Sequence, residues 1–233
     1  MRTILAWLVH LYTALGLVCA AAIAVLIVRG GDASFRWAFF LMMVATAIDA
    51  TDGWLARKAR VRELLPGFDG SALDDLIDFH TYTSLPLLLI WRSGVLTDSL
   101  GWLLLLPLLA SAYGFSQVDA KTDDGFFLGF PSYWNIVAFY LYTLGPPAPL
   151  AAAILVLFSA LTFVRTPYIY ATRGGPFART MNIGAAIWFV LLGLVLGGPA
   201  DDSKGLTLVS LLYPAAYLSL SAAVTVRRRA SRP

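Results

Sequence analysis

Aspartates gather at two places in a chain that is otherwise poor in charge. Asp49 and Asp52 are spaced i, i+3, and Asp74 and Asp78 are spaced i, i+4, with Asp75 between them out of register. On helices each pair shares one face. A short connection between two such helices makes them antiparallel neighbours and brings four carboxylates to one site. Like charges held that close cannot all stay ionised without a counter-charge. One compensation is an ion-pair network with Arg57, Lys58, Arg60 and Arg62, although these long side chains can also reach into water. The other is a divalent metal centre. A set of hard carboxylate oxygens, with no Cys or His at ligand spacing, suits Mg²⁺, Mn²⁺ or Ca²⁺ rather than Zn²⁺. Two such ions would balance four carboxylates. Between the acids runs Asp52-Gly53-Trp54-Leu55-Ala56-Arg57. Gly53 and Ala56 leave a groove of small residues, and Arg57 lies one turn beyond Gly53, where it could hold a phosphate. Alone, the glycine reads as a helix-packing residue; beside the acids and Arg57, a nucleotide diphosphate fits better.

The elements that carry these residues follow from composition. The chain has 233 residues, 59% hydrophobic and 13% charged, with a mean hydropathy of +0.74. Soluble domains are about half apolar and about a quarter charged. A water-soluble globule, a disordered chain and a coiled coil are excluded, and the single Cys19 excludes an intrachain disulfide scaffold. An all-α integral membrane protein, one domain over residues 1–233, is left. Its net charge of +3 reflects basic loops rather than a nucleic-acid partner. A crossing helix takes about 20 apolar residues. Runs at 3–28, 36–56, 71–92, 99–118, 131–145, 147–166, 178–198 and 205–226 predict about eight transmembrane helices, the fifth of them short. Prolines 146, 147 and 149 divide the fifth from the sixth. Arg2 ahead of an apolar stretch could open a cleaved signal, but the run continues to Val28 and reads as a span. With the N-terminus in the cytoplasm, 13 of the 17 basic residues fall on the cytoplasmic side and 4 on the other. Both termini and the 58–69 loop are therefore expected inside.

The ordered pattern D-x2-D-G-x2-A-R, a spacer, then G-x3-D-x3-D resembles the signature of the CDP-alcohol phosphotransferases. It is met by Asp49, Asp52, Gly53, Ala56, Arg57, Gly70, Asp74 and Asp78. The spacer from Lys58 to Asp69, 12 residues, is longer than in most of the superfamily. In this, and over Gly70–Asp75 and Phe126–Asn135, the chain is similar to the bacterial phosphatidylcholine synthase branch. The resemblance implies a helical bundle in the bacterial inner membrane, a homodimer, and a site facing the cytoplasm. It implies transfer of the phosphatidyl group of CDP-diacylglycerol to choline, with release of CMP. It further implies that Asp49, Asp52, Asp74 and Asp78 hold Mg²⁺ or Mn²⁺, in all two ions. Asp78 would be the general base, and Gly53, Ala56, Arg57 and Gly70 would line the CDP site, with Thr13 a weaker member. Phosphoryl-type transfer needs charge neutralisation and an aligned nucleophile, which such a site provides.

A quaternary ammonium is best held by aromatic faces, and residues 126–142 contain 8 aromatics. An interfacial aromatic belt would give the same composition. Tyr82, Tyr133 and Trp134 are the candidates for choline. Two rival functions stay open. One is a related transferase for serine, inositol or glycerol 3-phosphate, in which Arg165 or Arg173 would meet a phosphorylated acceptor. The other is a cation transporter, since intramembrane carboxylates also mark ion pathways; against it, the acids cluster at one membrane face beside a Gly/Arg groove. Asp75 is expected at the edge of the site, His80 in packing, His10 and Cys19 without partners, and Arg227, Arg228 and Arg229 at anionic head groups.

Overall fold

The computed structural model describes residues 1–122, 124–170, 177–199 and 203–230, with side chains to Arg228. Arg173 lies outside them. Two long antiparallel helices, α1 (Arg2–Arg29) and α2 (Asp32–Lys58), make the most extensive helix pair. Gly30 and Gly31, both with positive φ (71° and 83°), turn the chain between them. No other residue type takes two such conformations in succession cheaply. After α2 the short α3 (Val61–Leu64) leads into α4 (Gly70–Asp78).

The helix that begins with α4 does not stop at Asp78. It widens into a π-helical stretch over Phe79–Ser84 and continues as α5 (Leu85–Arg92). Pro86 supplies a physical reason for the wide turn, because it has no N–H to offer the carbonyl four residues back and its ring crowds that carbonyl. π-Turns of this kind often sit at functional sites. A 3₁₀ segment (Asp98–Leu104) then runs into α6 (Leu105–Phe115), followed by α7 (Trp134–Leu144), α8 (Ala148–Phe163), α9 (Ala178–Gly197), α10 (Lys204–Ser210) and α11 (Leu212–Ala230).

Helices occupy each of the eight expected runs, and the protein is an all-α membrane protein. Among the described residues five helices are long and apolar enough to cross a bilayer on their own. The segments Trp134–Leu144 and Ala148–Phe163 are shorter apolar helices. At about 1.5 Å per residue neither reaches the roughly 30 Å of a hydrocarbon core. An unexpected feature is a pair of three-residue strands, β1 (Phe126–Leu128) and β2 (Pro167–Ile169), antiparallel with Phe127 opposite Tyr168. The main core is built from Ile23, Ile27, Phe39, Leu89, Ile90, Trp134, Leu155 and Val195, all buried. Large apolar side chains such as Leu5, Leu8, Leu11, Ile187 and Val190 face outward instead, the arrangement a lipid-embedded bundle requires because its outer surface meets hydrocarbon.

Candidate active site

α2 and α4 bring the acids together as their spacing predicts. Carboxylate oxygens of Asp49, Asp74 and Asp78 all lie within 4.8 Å of one another. Asp52 lines the same cleft with them and is buried. Its Oδ2 accepts a hydrogen bond of 2.8 Å from Thr13 Oγ1, so α1 adds a polar contact to the cluster. Three hard oxygens converging in this way match the donor chemistry of Mg²⁺ or Mn²⁺.

Packing around the cluster explains several small residues. Asp69 caps α4, its Oδ1 accepting from the N–H groups of Ser71 (3.0 Å) and Ala72 (3.1 Å), which fixes where the helix carrying Asp74 and Asp78 begins. A Cβ on Gly70 would stand 2.6 Å from His10 Cε1, so this glycine admits the imidazole of α1. His10 in turn packs against Phe68 and Trp7. Likewise a Cβ on Gly16 would stand 2.6 Å from Ile77 Cγ2. Gly16 thus sets how closely α1 approaches α4 next to Asp78, a requirement the motif does not contain. Gly53 is open apart from the Arg57 guanidinium, whose Nη1 would lie 3.3 Å from a Cβ there. Ala56 is partly buried with Ala6, Val9 and Val61. The groove of small residues is therefore divided: Ala56 packs between helices, while Gly53 and Arg57 remain available. The neighbouring basic residues engage elsewhere. Arg60 pairs with Glu63, Lys58 lies over the Trp54 ring at 4.7 Å, and Arg62 reaches Ser71 Oγ at 3.4 Å.

The aromatic candidates separate into different roles. Tyr82, on the π-helical stretch, donates its hydroxyl to Asp49 Oδ2 at 2.7 Å. It is attached to the acidic cluster and orients one of its carboxylates. Tyr133 sits at the centre of a group of rings, with centroids of Tyr82, Tyr217, Phe127 and Phe130 at 6.2, 6.1, 6.4 and 6.5 Å. The Tyr217 hydroxyl is buried in this group, beside Tyr133. Trp134, expected to face the acceptor, is instead fully buried, its Nε1–H donating to Ser111 Oγ at 2.7 Å and its ring edge-on to Phe130. The register of α7 turns it into the core, so the acceptor site is drawn without it. Asn135 donates to Thr46 Oγ1 at 3.2 Å and so ties this segment to α2 one turn before Asp49.

Sequence reasoning missed Lys121. Its ammonium lies 3.4 Å from Asp75 Oδ1, and its backbone bridges to Phe127. Burial alone would lower its pKa, but Asp75, Tyr170, Asp74 and Asp78 hold it above the ordinary lysine value. The residue stands 43 positions after Asp78, the last motif aspartate, and as the one basic residue of the polar stretch 116–125 it carries no mark of the acids it meets. Arg165, offered for a phosphorylated acceptor, is exposed and paired with Asp119. Arg228 bonds Asp124 at 2.6 Å and covers the Phe126 ring at 4.1 Å, clasping α11 to the loop before β1.

The carboxylate cluster with its adjoining Gly/Arg groove has the donor set a phosphotransferase acting on a diphosphate needs. Phosphatidylcholine synthase from Legionella pneumophila is 34% identical over 93% of this chain and 87% of its own length. The phosphatidylcholine synthase of Pseudomonas aeruginosa is 36% identical over 84% and 82%, and that of Rhizobium johnstonii 30% over 94% and 89%. No protein-family model matches the chain. The chain belongs to the bacterial phosphatidylcholine synthases, a branch of the CDP-alcohol phosphotransferases.

Proposed function

We propose that the protein transfers the phosphatidyl group of CDP-diacylglycerol to choline and releases CMP. The observation that carries this reading is the convergence of Asp49, Asp74 and Asp78, with Asp52 at the same cleft, in a chain similar to phosphatidylcholine synthases along most of its length. These four residues would hold Mg²⁺ or Mn²⁺. Bound there, the ion supplies neutralisation of the charge on the transferring phosphate. Asp78, the deepest of the converging three, takes the choline hydroxyl proton. The freed oxygen attacks the β-phosphorus, and the bond from that phosphorus to the CMP oxygen breaks. Arg57 and the open backbone at Gly53 receive the CMP phosphate, with Thr13 and Gly70 at the edge of the nucleotide site.

For choline the reading uses the ring group around Tyr133, with Tyr82, Phe127 and Tyr217. These faces sit beside the acidic cluster through the Tyr82–Asp49 bond, so ring quadrupoles and carboxylates act on a cation in the same sense. The site opens to the cytoplasm in this reading, in keeping with the basic asymmetry of the loops, and the protein works as a homodimer. The test is a transfer assay in purified membranes with CDP-diacylglycerol and labelled choline, serine, inositol and glycerol 3-phosphate. Phosphatidylcholine should be the main product; preferred labelling from another alcohol would move the protein to a different acceptor.

A further inference from the structure

The family motif contains carboxylates and one arginine, and Arg57 stays over its own Gly53. The structure adds a cation from a distant part of the chain. Lys121 lies between α6 and β1, where its backbone pairs with Phe127 and its ammonium meets Asp75, the residue next to Asp74 on α4. Its side chain is two-thirds covered, with 33% exposed, so the charge is held against the protein rather than extended into water. Lys121 and Asp75 stand together on the wall of an open cleft of about 130 Å³, whose other walls include Phe115, Phe127, Gly129 and Phe130. Gly129 belongs there for a steric reason. With φ at +90° it runs so close to α8 that a Cβ would lie 2.3 Å from the Thr162 carbonyl oxygen, and this close approach fixes the loop that presents Lys121.

A cation fixed beside a cluster of carboxylates has two consequences. Before any divalent ion arrives it lowers the local negative potential and so competes with that ion. Once the ion has taken over the neutralisation, the ammonium is free to bond an anionic oxygen nearby. We infer that Lys121 is a substrate-positioning residue: it balances the free acidic cluster through Asp75 and turns to a diphosphate oxygen of the bound nucleotide lipid. This rests on the reading of the cluster as a diphosphate-handling metal site, but not on the identity of the acceptor alcohol.

Two measurements on the full-length protein in nanodiscs test it without choline. Mn²⁺ binding, followed by electron paramagnetic resonance in the absence of substrate, should tighten by roughly three- to thirtyfold in Lys121→Met and Lys121→Gln, because a repelling charge has gone. Equilibrium binding of radiolabelled CDP-diacylglycerol in saturating Mn²⁺ should weaken by about tenfold or more in the same variants, a charge-assisted bond having been lost. Lys121→Arg should keep Mn²⁺ binding near that of the parent. A lysine that only supported the fold would weaken both or change neither. Unchanged or weaker Mn²⁺ binding in the two neutral variants, or unchanged CDP-diacylglycerol binding, overturns the proposal. Acetylation of the unsubstituted protein, read by mass spectrometry with Lys58 as internal reference, carries the test if the variants do not fold. Mn²⁺ should raise labelling at Lys121 and CDP-diacylglycerol should then protect it; the absence of either change also overturns it. Loss of choline transfer in the assay above, with these binding shifts intact, would count against the acceptor and leave Lys121 in place.

Discussion

Gly16→Ala probes how tightly α4, which carries Asp74 and Asp78, depends on its neighbour. The added methyl would stand 2.6 Å from Ile77 Cγ2, whereas carbon atoms rest about 3.5–4.0 Å apart. About 1 Å must therefore open between α1 and α4, since the β-branched Ile77 has little rotamer freedom with which to yield. Overpacking of this kind costs about 1–3 kcal/mol, while replacing a helical glycine by alanine returns about 1 kcal/mol. The net loss of stability is thus small, within about 2 kcal/mol. Catalysis is less forgiving: a displacement of about 1 Å of reacting groups costs on the order of 10²-fold, and Ile77 adjoins Asp78. The expected outcome is a protein that purifies and melts within a few degrees of the parent yet transfers phosphatidyl groups at about one hundredth of its rate. Ile77→Leu in the same chain removes the clashing Cγ2 while conserving volume, and should recover most of the lost rate. The assay is CMP release in nanodiscs alongside a thermal unfolding curve. Turnover of Gly16→Ala within about threefold of the parent, or a double variant no faster than the single one, would refute the argument from packing.

Tyr82→Phe deletes the hydroxyl on Asp49 but keeps the ring, so Mn²⁺ affinity and kcat should fall by about tenfold or more while the choline KM stays put; steady-state kinetics for both substrates decide it. Asp78→Asn should lower kcat by at least about 10²-fold and leave CDP-diacylglycerol bound, and excess chelator should abolish transfer by the parent protein. Tyr133→Leu should raise the choline KM several-fold to about thirtyfold, with Tyr133→Phe doing much less because a ring face survives; Trp134→Phe should instead lower stability by about 1–3 kcal/mol, through the partner lost to the buried Ser111 and the volume removed from the core, without moving that KM. Cysteines placed in the 58–69 loop should react with an impermeant thiol reagent only after cells are opened, and labelling of intact cells would reverse the orientation.

The membrane class and the acidic site were legible in the sequence because both rest on local rules. Hydropathy decides burial in lipid residue by residue, and the i, i+3 and i, i+4 spacings place carboxylates on a helix face whatever surrounds it. Asp74 and Asp78 share a face for that reason, and the short connection from α2 brings Asp49 to them. What a side chain touches across helices is set by approach distance and rotation, and there the sequence was silent or misleading. The aromatic composition marks Tyr82 only as a ring for choline; the π-turn after Asp78 gives its hydroxyl a second partner, Asp49, which no pattern in the sequence announces. Trp134 stands next to Tyr133 in the same aromatic run and points the other way, into the core. The glycines at 16 and 70 carry no sign in the sequence of the Ile77 and His10 side chains they admit. Lys121 reaches the acids only because Gly129 lets its loop press on α8 and the chain returns across α4, a contact between residues far apart in sequence that no periodicity encodes. Local spacing determined the chemistry available to this protein; tertiary packing decided which groups orient it, which cation balances it and which aromatic faces remain for the substrate.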